Sequence, residues 1–173
     1  ILNRSAGNER YSEAEKTFSE WKKNEILIQD TDPSVYLLCQ SFLQGEQQIE
    51  RTGFITKLKI TKLGGQVLPH EQTISKHIND RYNLMKATKA NTGQIFMSYR
   101  DQTRTVESIM GAYEDDIPLI DVVLDGIQYR LWRLTDEGEI NTIQNVLAGT
   151  KAIIADGHHR YKTAYQYAHD HPE

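Results

Sequence analysis

Within five consecutive residues, Asp156-Gly157-His158-His159-Arg160 gathers a carboxylate, a glycine, two imidazoles and a guanidinium. Such a set suits the binding of an anion. Glycine lets the backbone come close to a ligand. Arginine presents a fork of donors matched to phosphate oxygens, and histidine donates or accepts a proton near neutral pH. Asp156 has the chemistry to take a proton from a hydroxyl or to hold a cation. Under the competing reading Asp156 only caps a helix, while the histidines and Arg160 are solvated.

A second polar stretch, His70-Glu71-Gln72-Thr73, falls in a similar strand-to-helix connection. Glu71 is a candidate general base. Equally, Thr73 or Ser75 caps the next helix and Glu71 favours its N-terminal dipole. Asp80-Arg81 reads first as an ion pair or surface charge and second as a phosphate contact, and Arg51 is a further candidate. His70, Glu71 and Asp156 are the groups that would complete a metal shell around His158 or His159. No H-E-x-x-H or paired-cysteine spacing accompanies them, so no protein-built metal site is expected. A magnesium ion arriving with a nucleotide is the alternative. Tyr161 and Tyr165, one helical turn apart, read as packing rather than base stacking. His169-Asp170-His171 reads as a frayed, solvated tail.

The elements that must position these groups follow from periodicity. Ile153-Ile154-Ala155 is a short apolar strand and residues 160–169 a helix, so the polar cluster occupies the turn between them. A helix starting there offers unpaired N–H groups and a positive dipole end to an anion. Upstream, Ser12 and Glu15 have capping-box spacing before a helix over 12–24, with Phe18 and Trp21 as its core anchors. The Asp30–Ser34 turn, locked by Pro33, leads into a central strand over 35–42. Residues 45–50 read as a loop or hairpin end, and alternation over 53–60 predicts another strand. Gly64-Gly65 turns the chain into 66–68. A helix over 75–89 carries a stripe of Ile74, Ile78, Tyr82 and Met85, and Asn91-Thr92-Gly93 ends it as a left-handed cap. A strand over 95–99 and a short helix over 103–111 follow. Residues 121–134 form a hairpin around Asp125-Gly126, and 139–147 a helix. Without regular βαβα alternation, the expected class is α+β with a mixed, largely antiparallel sheet and flanking helices. One domain over 1–173 is the economical organisation.

Composition narrows the function. With 38% hydrophobic and 25% charged residues, the chain of 173 residues is neither disordered nor membrane-embedded. No apolar run nears the roughly 18 residues that span a bilayer. A single cysteine, Cys39, forms no intramolecular disulfide and points to a reducing, cytoplasmic setting. The net charge of −4 supplies no basic field for a nucleic-acid backbone, so small molecules are the expected partners.

The string from Ile154 to Tyr161, I-A-D-G-H-H-R-Y, resembles the signature of a widespread domain-of-unknown-function family. The PSVYLL segment from Pro33, the PHEQT segment from Pro69 and the Asn79-Asp80-Arg81 step occur in the matching order, so the resemblance covers most of the chain. In that family the aligned region continues past the histidine motif. This implies a fragment of a longer protein, as does the absence of an initiating methionine. The D-G-H-H-R string also resembles the phosphate-binding motif of the ParB/sulfiredoxin-like superfamily. Within that group it is most similar to free serine kinases, which phosphorylate L-serine using a nucleotide.

That resemblance implies a ParB/sulfiredoxin-like fold and a nucleotide, ATP or ADP, with Mg2+ carried by it. Asp156, Gly157, His158, His159 and Arg160 would surround the phosphates and the reacting hydroxyl. Glu71 is the candidate, by chemistry alone, for the catalytic glutamate of those kinases. The expected function is phosphoryl transfer to a small hydroxylated metabolite such as free L-serine. A non-catalytic nucleotide-sensing module is the alternative. DNA partitioning is disfavoured by the acidic balance and by the lack of a recognisable helix-turn-helix. No membrane partner is expected, and the oligomeric state is open.

Overall fold

In the computed structural model, which describes residues 7–70 and 75–172, five helices and seven strands succeed one another. In chain order these are α1 Glu9–Lys23, β1 Val35–Gln44, β2 Gln47–Ile55, β3 Val67–Leu68, α2 Ser75–Thr88 and β4 Phe96–Tyr99. They continue with α3 Thr105–Ala112, β5 Ile120–Leu124, β6 Ile127–Leu134, α4 Glu137–Ala148, β7 Ala152–Asp156 and α5 His158–Asp170. The class is α+β, and every strand pair is antiparallel except β3 with β7. Among the described residues no helix is long and apolar enough to cross a membrane.

Contacts group the chain into two compact units. One unit takes residues 1–29, 59–100 and 151–173, and the other takes 30–58 and 101–150. The chain passes between them four times, so neither has a single linker that composition could reveal.

The second unit is built on a four-stranded sheet in the order β2-β1-β6-β5. Along β1, Val35, Leu37 and Cys39 are buried while alternate residues are partly exposed, the two-residue period of a strand with one covered face. Trp132 and Leu134 of β6 join them, and Val106 of α3 and Ile143 of α4 close the core. Asp125 and Gly126 both have positive φ, 51° and 78°, as the tight turn between β5 and β6 demands. Residues 45–50, read as a loop or hairpin end, are the latter: a two-residue turn and the start of β2, with Gln44 facing Gln47. Conversely β2 stops at Ile55 although alternation continues to residue 60. Its ladder partner at that point is Tyr36, next to the end of β1, and the turn before it offers no further backbone to pair.

The first unit holds the three-stranded sheet β3-β7-β4 with α1, α2 and α5. Helix α1 begins at Glu9, so Ser12 lies inside it rather than at its cap. Tertiary anchoring outweighs the capping box here. Tyr11 and Ala14 pack with Leu84 in the core, and the Tyr11 hydroxyl donates to Asp80 Oδ1 at 2.8 Å. Phe18 and Trp21 are only half-buried. Leu84 and Thr88 form the buried line of α2, with Ile78, Tyr82 and Met85 half-buried beside it. Ile74 lies outside the described residues. The left-handed residue closing α2 is Lys89, at φ 51°, rather than Gly93.

Candidate anion-binding site

Strand β7 runs through the middle of its sheet, between β3 and β4, and Ile154 is fully buried there against Val67 and Tyr161. The chain must then reverse into a helix without leaving the core. Gly157 makes this possible at φ 97° and ψ 26°, a left-handed conformation that costs a residue with a Cβ about 1–2 kcal/mol. Helix α5 starts at once at His158, two residues earlier than the sequence suggested. Its buried face is His158, Tyr161 and Ala164, with Thr163 beside them. Tyr161 ties the helix to both backbone polar groups of Thr61. Its hydroxyl donates to the Thr61 carbonyl at 2.8 Å and accepts from the Thr61 N–H at 3.1 Å.

The two histidines part company at this turn. His158, 1% exposed, points into the unit, where its Nε2 accepts the backbone N–H of His70 at 3.1 Å. This bond requires a lone pair on Nε2 and so assigns the proton of the neutral ring to Nδ1. His70 in turn donates from Nδ1 to the Ile154 carbonyl, and the two rings meet edge to face at 4.6 Å between centroids. The start of the His70 stretch is thereby tied to the end of β7. His159 is half-buried.

Arg160 folds back over the turn. Its Nη2 binds Asp156 and its Nη1 binds the Gln94 carbonyl. The guanidinium lies so close to two glycines that a Cβ on either would meet it. At Gly157 the Nε and Nη2 edge is 3.1 and 3.2 Å from that position, and at Gly93 the Nη1 edge is 3.2 Å from it. Gly93, read from sequence as a helix stop, is therefore needed for room. A contact between residues 66 apart in the chain, such as Arg160 with Gln94, leaves no local signal. The capping position of α5 is a glycine, so it contributes no side-chain cap. A positive dipole end and a guanidinium thus meet at one corner.

Beside Arg160 lies a small open cleft of about 20 Å³, formed by α2, the loop after it and α5. Arg81 and Arg160 both line it, with Asn91, Thr92, Gly93 and Thr163. Asp80 does not pair with Arg81, since it is engaged by Arg10 and the Tyr11 hydroxyl. Residues 2–173 match the model of a family described as a protein of unknown function, DUF1015. The chain belongs to the DUF1015 family. No curated protein and no solved structure gives a significant match.

In this DUF1015 chain the structure brings Asp156, Gly157, His158, His159 and Arg160 together with His70, and places Arg81 on the neighbouring cleft. Glu71 and Thr73 lie outside the described residues. Arg51 belongs to the other unit, where its Nε donates to Gln40 at 2.9 Å. Among the described residues no three histidine, cysteine or acidic side chains gather as a metal shell. Asp156 is the exposed acid of the turn, its side chain 74% accessible.

The chain end is more ordered than a frayed tail. The Tyr82 hydroxyl donates to Asp170 at 2.8 Å, and the His171 ring stacks on Tyr167 at 4.3 Å. The Tyr82 bond holds the Asp170 carboxyl below its ordinary range, and the Tyr82 hydroxyl is correspondingly pushed up. A carboxyl depressed by folding stabilises above its unfolded value, and this contribution fades as pH falls through the folded one.

Proposed function

We propose that this chain is a nucleotide-binding phosphotransferase of ParB/sulfiredoxin-like character that acts on a small hydroxylated metabolite, with free L-serine the leading candidate. One observation carries the reading. A left-handed glycine opens a helix without a side-chain cap, and an arginine guanidinium lies against that glycine. Phosphoryl transfer needs positioning and charge neutralisation more than covalent chemistry, and this corner supplies both. The resemblance of the D-G-H-H-R string to the free serine kinases supports the choice of acceptor.

ATP or ADP, with Mg2+ carried by the nucleotide, supplies the phosphoryl group. Gly157 and the N–H groups that follow it hold phosphate oxygens, and Arg160 with His159 offsets their charge. His158 is a positioning residue, because its Nε2 is occupied by the His70 N–H. Asp156 accepts the proton of the attacking hydroxyl as the new oxygen–phosphorus bond forms and the bond to the nucleotide's leaving oxygen breaks. Phosphate arriving at Arg160 competes with Asp156 for the guanidinium, so seating the donor frees the base.

The test is to incubate the protein with ATP or ADP and a panel of hydroxylated metabolites that includes L-serine, and to identify products by mass. A phosphorylated acceptor is expected, and Arg160→Ala is expected to lower its rate about a hundredfold. The engagement of Arg160 by Asp156 and Gln94 also suits a second reading, a nucleotide-sensing module, since binding must open those contacts. Tight nucleotide binding with no product from any acceptor would replace the kinase reading by that one.

A further inference from the structure

We infer that the cleft between α2 and α5 is a binding site for the carboxylate of a small organic acid, with Arg81 as the group that grips it. The inference deepens the phosphotransferase reading and rests on it in one respect only, that the acid bound there is the phosphoryl acceptor.

The argument begins with charge. Two arginines line the cleft, and they are not equivalent. Arg160 is neutralised by Asp156 and further committed to the Gln94 carbonyl. Arg81 is exposed, and among the described residues no carboxylate pairs with it. The cleft therefore offers one uncompensated positive charge, which matches a monoanion. A phosphate dianion would keep one charge unanswered there, whereas a planar carboxylate satisfies one guanidinium fork in a bidentate pair.

Size points the same way. The space proper is only about 20 Å³ and opens to solvent beyond, so it seats a group the size of a carboxylate and not a nucleotide. The walls differ in kind. Leu84 and Met85 give an apolar side, while Asn91 and Thr92 offer amide and hydroxyl groups to a polar substituent. A short acid carrying a hydroxyl or amino group fits that lining. Arg160 connects this cleft to the phosphate corner, since its Nη1 edge lies over Gly93 and its Nε and Nη2 edge over Gly157. An acid gripped by Arg81 and a phosphate seated at Gly157 would thus face a single guanidinium.

The experiment is calorimetric titration of the protein with L-serine, D-glycerate, ethanolamine, inorganic phosphate and, separately, ATP. Ethanolamine keeps the hydroxyl and amino groups of serine and lacks the carboxylate. L-serine or D-glycerate is expected to bind and ethanolamine not to. Arg81→Ala should weaken the acid at least tenfold and leave ATP affinity within twofold. Arg81→Lys should recover only part of the loss, because it restores the charge without the fork. Alanine is well tolerated at this exposed helical position, so folding is not at issue. The inference is overturned if neither acid binds, if ethanolamine binds equally well, if inorganic phosphate competes for the cleft, or if Arg81→Ala changes nothing. Failure of the acids with ATP binding intact removes this inference alone. Failure of ATP to bind removes the reading of the phosphate corner instead.

Discussion

Gly157→Val is expected to weaken nucleotide binding at least tenfold and to cost the fold about 1–2 kcal/mol or more. Two effects combine. At φ 97° any Cβ is strained, and a β-branched one more so. The new side chain also occupies the place of the Arg160 guanidinium, which lies 3.1–3.3 Å from the position of its Cβ. Losing one or two charge-assisted hydrogen bonds, each worth about 1.5–3 kcal/mol, lowers affinity roughly tenfold to ten-thousandfold. Gly126→Ala is the control. Gly126 also has positive φ, at 78°, but a Cβ there meets nothing within 4 Å. It should show the stability cost while nucleotide affinity stays unchanged. Equal affinity losses in both variants would mean that strain, and not the Arg160 corner, controls binding.

Tyr161→Ala carries the largest expected stability loss, about 3–5 kcal/mol, read as a shift of the urea midpoint. Tyr161 is 2% exposed and packs with Val67 and Ile154 directly beneath the turn. Its hydroxyl also pairs with both backbone polar groups of Thr61. Tyr161→Phe separates the two contributions. It keeps the ring and leaves the Thr61 groups unanswered, for an expected cost of about 1–3 kcal/mol. If the phenylalanine variant were as stable as the parent, the Thr61 bonds would have no part in holding α5.

Where local geometry decides, the sequence was informative. Asp125-Gly126 announces its hairpin because only certain residues tolerate positive φ twice in succession. The alternation of β1 is equally direct, since one face of its sheet is covered. The polar turn was visible for a related reason: apolar β7 and amphipathic α5 leave no other place for its residues. Elements set by distant contacts were not legible. The start of α1 depends on Tyr11 and Arg10 reaching Asp80, 69 and 70 residues away. The end of β2 depends on where its partner strand runs out. Gly93 became a site residue, and Arg81 rose from a secondary candidate, only when α2 was seen beside α5.

The claim on which the rest depends is that the turn between β7 and α5 seats a phosphate. Amide NMR of the 15N-labelled protein during titration with ATP addresses it residue by residue. The largest shifts are expected at Gly157, His158, His159 and Arg160, with a matching change in the Arg160 side-chain Nε–H as it leaves Asp156. If those four amides stayed in place at saturating ATP, the turn would be a structural corner and the anion site would not exist.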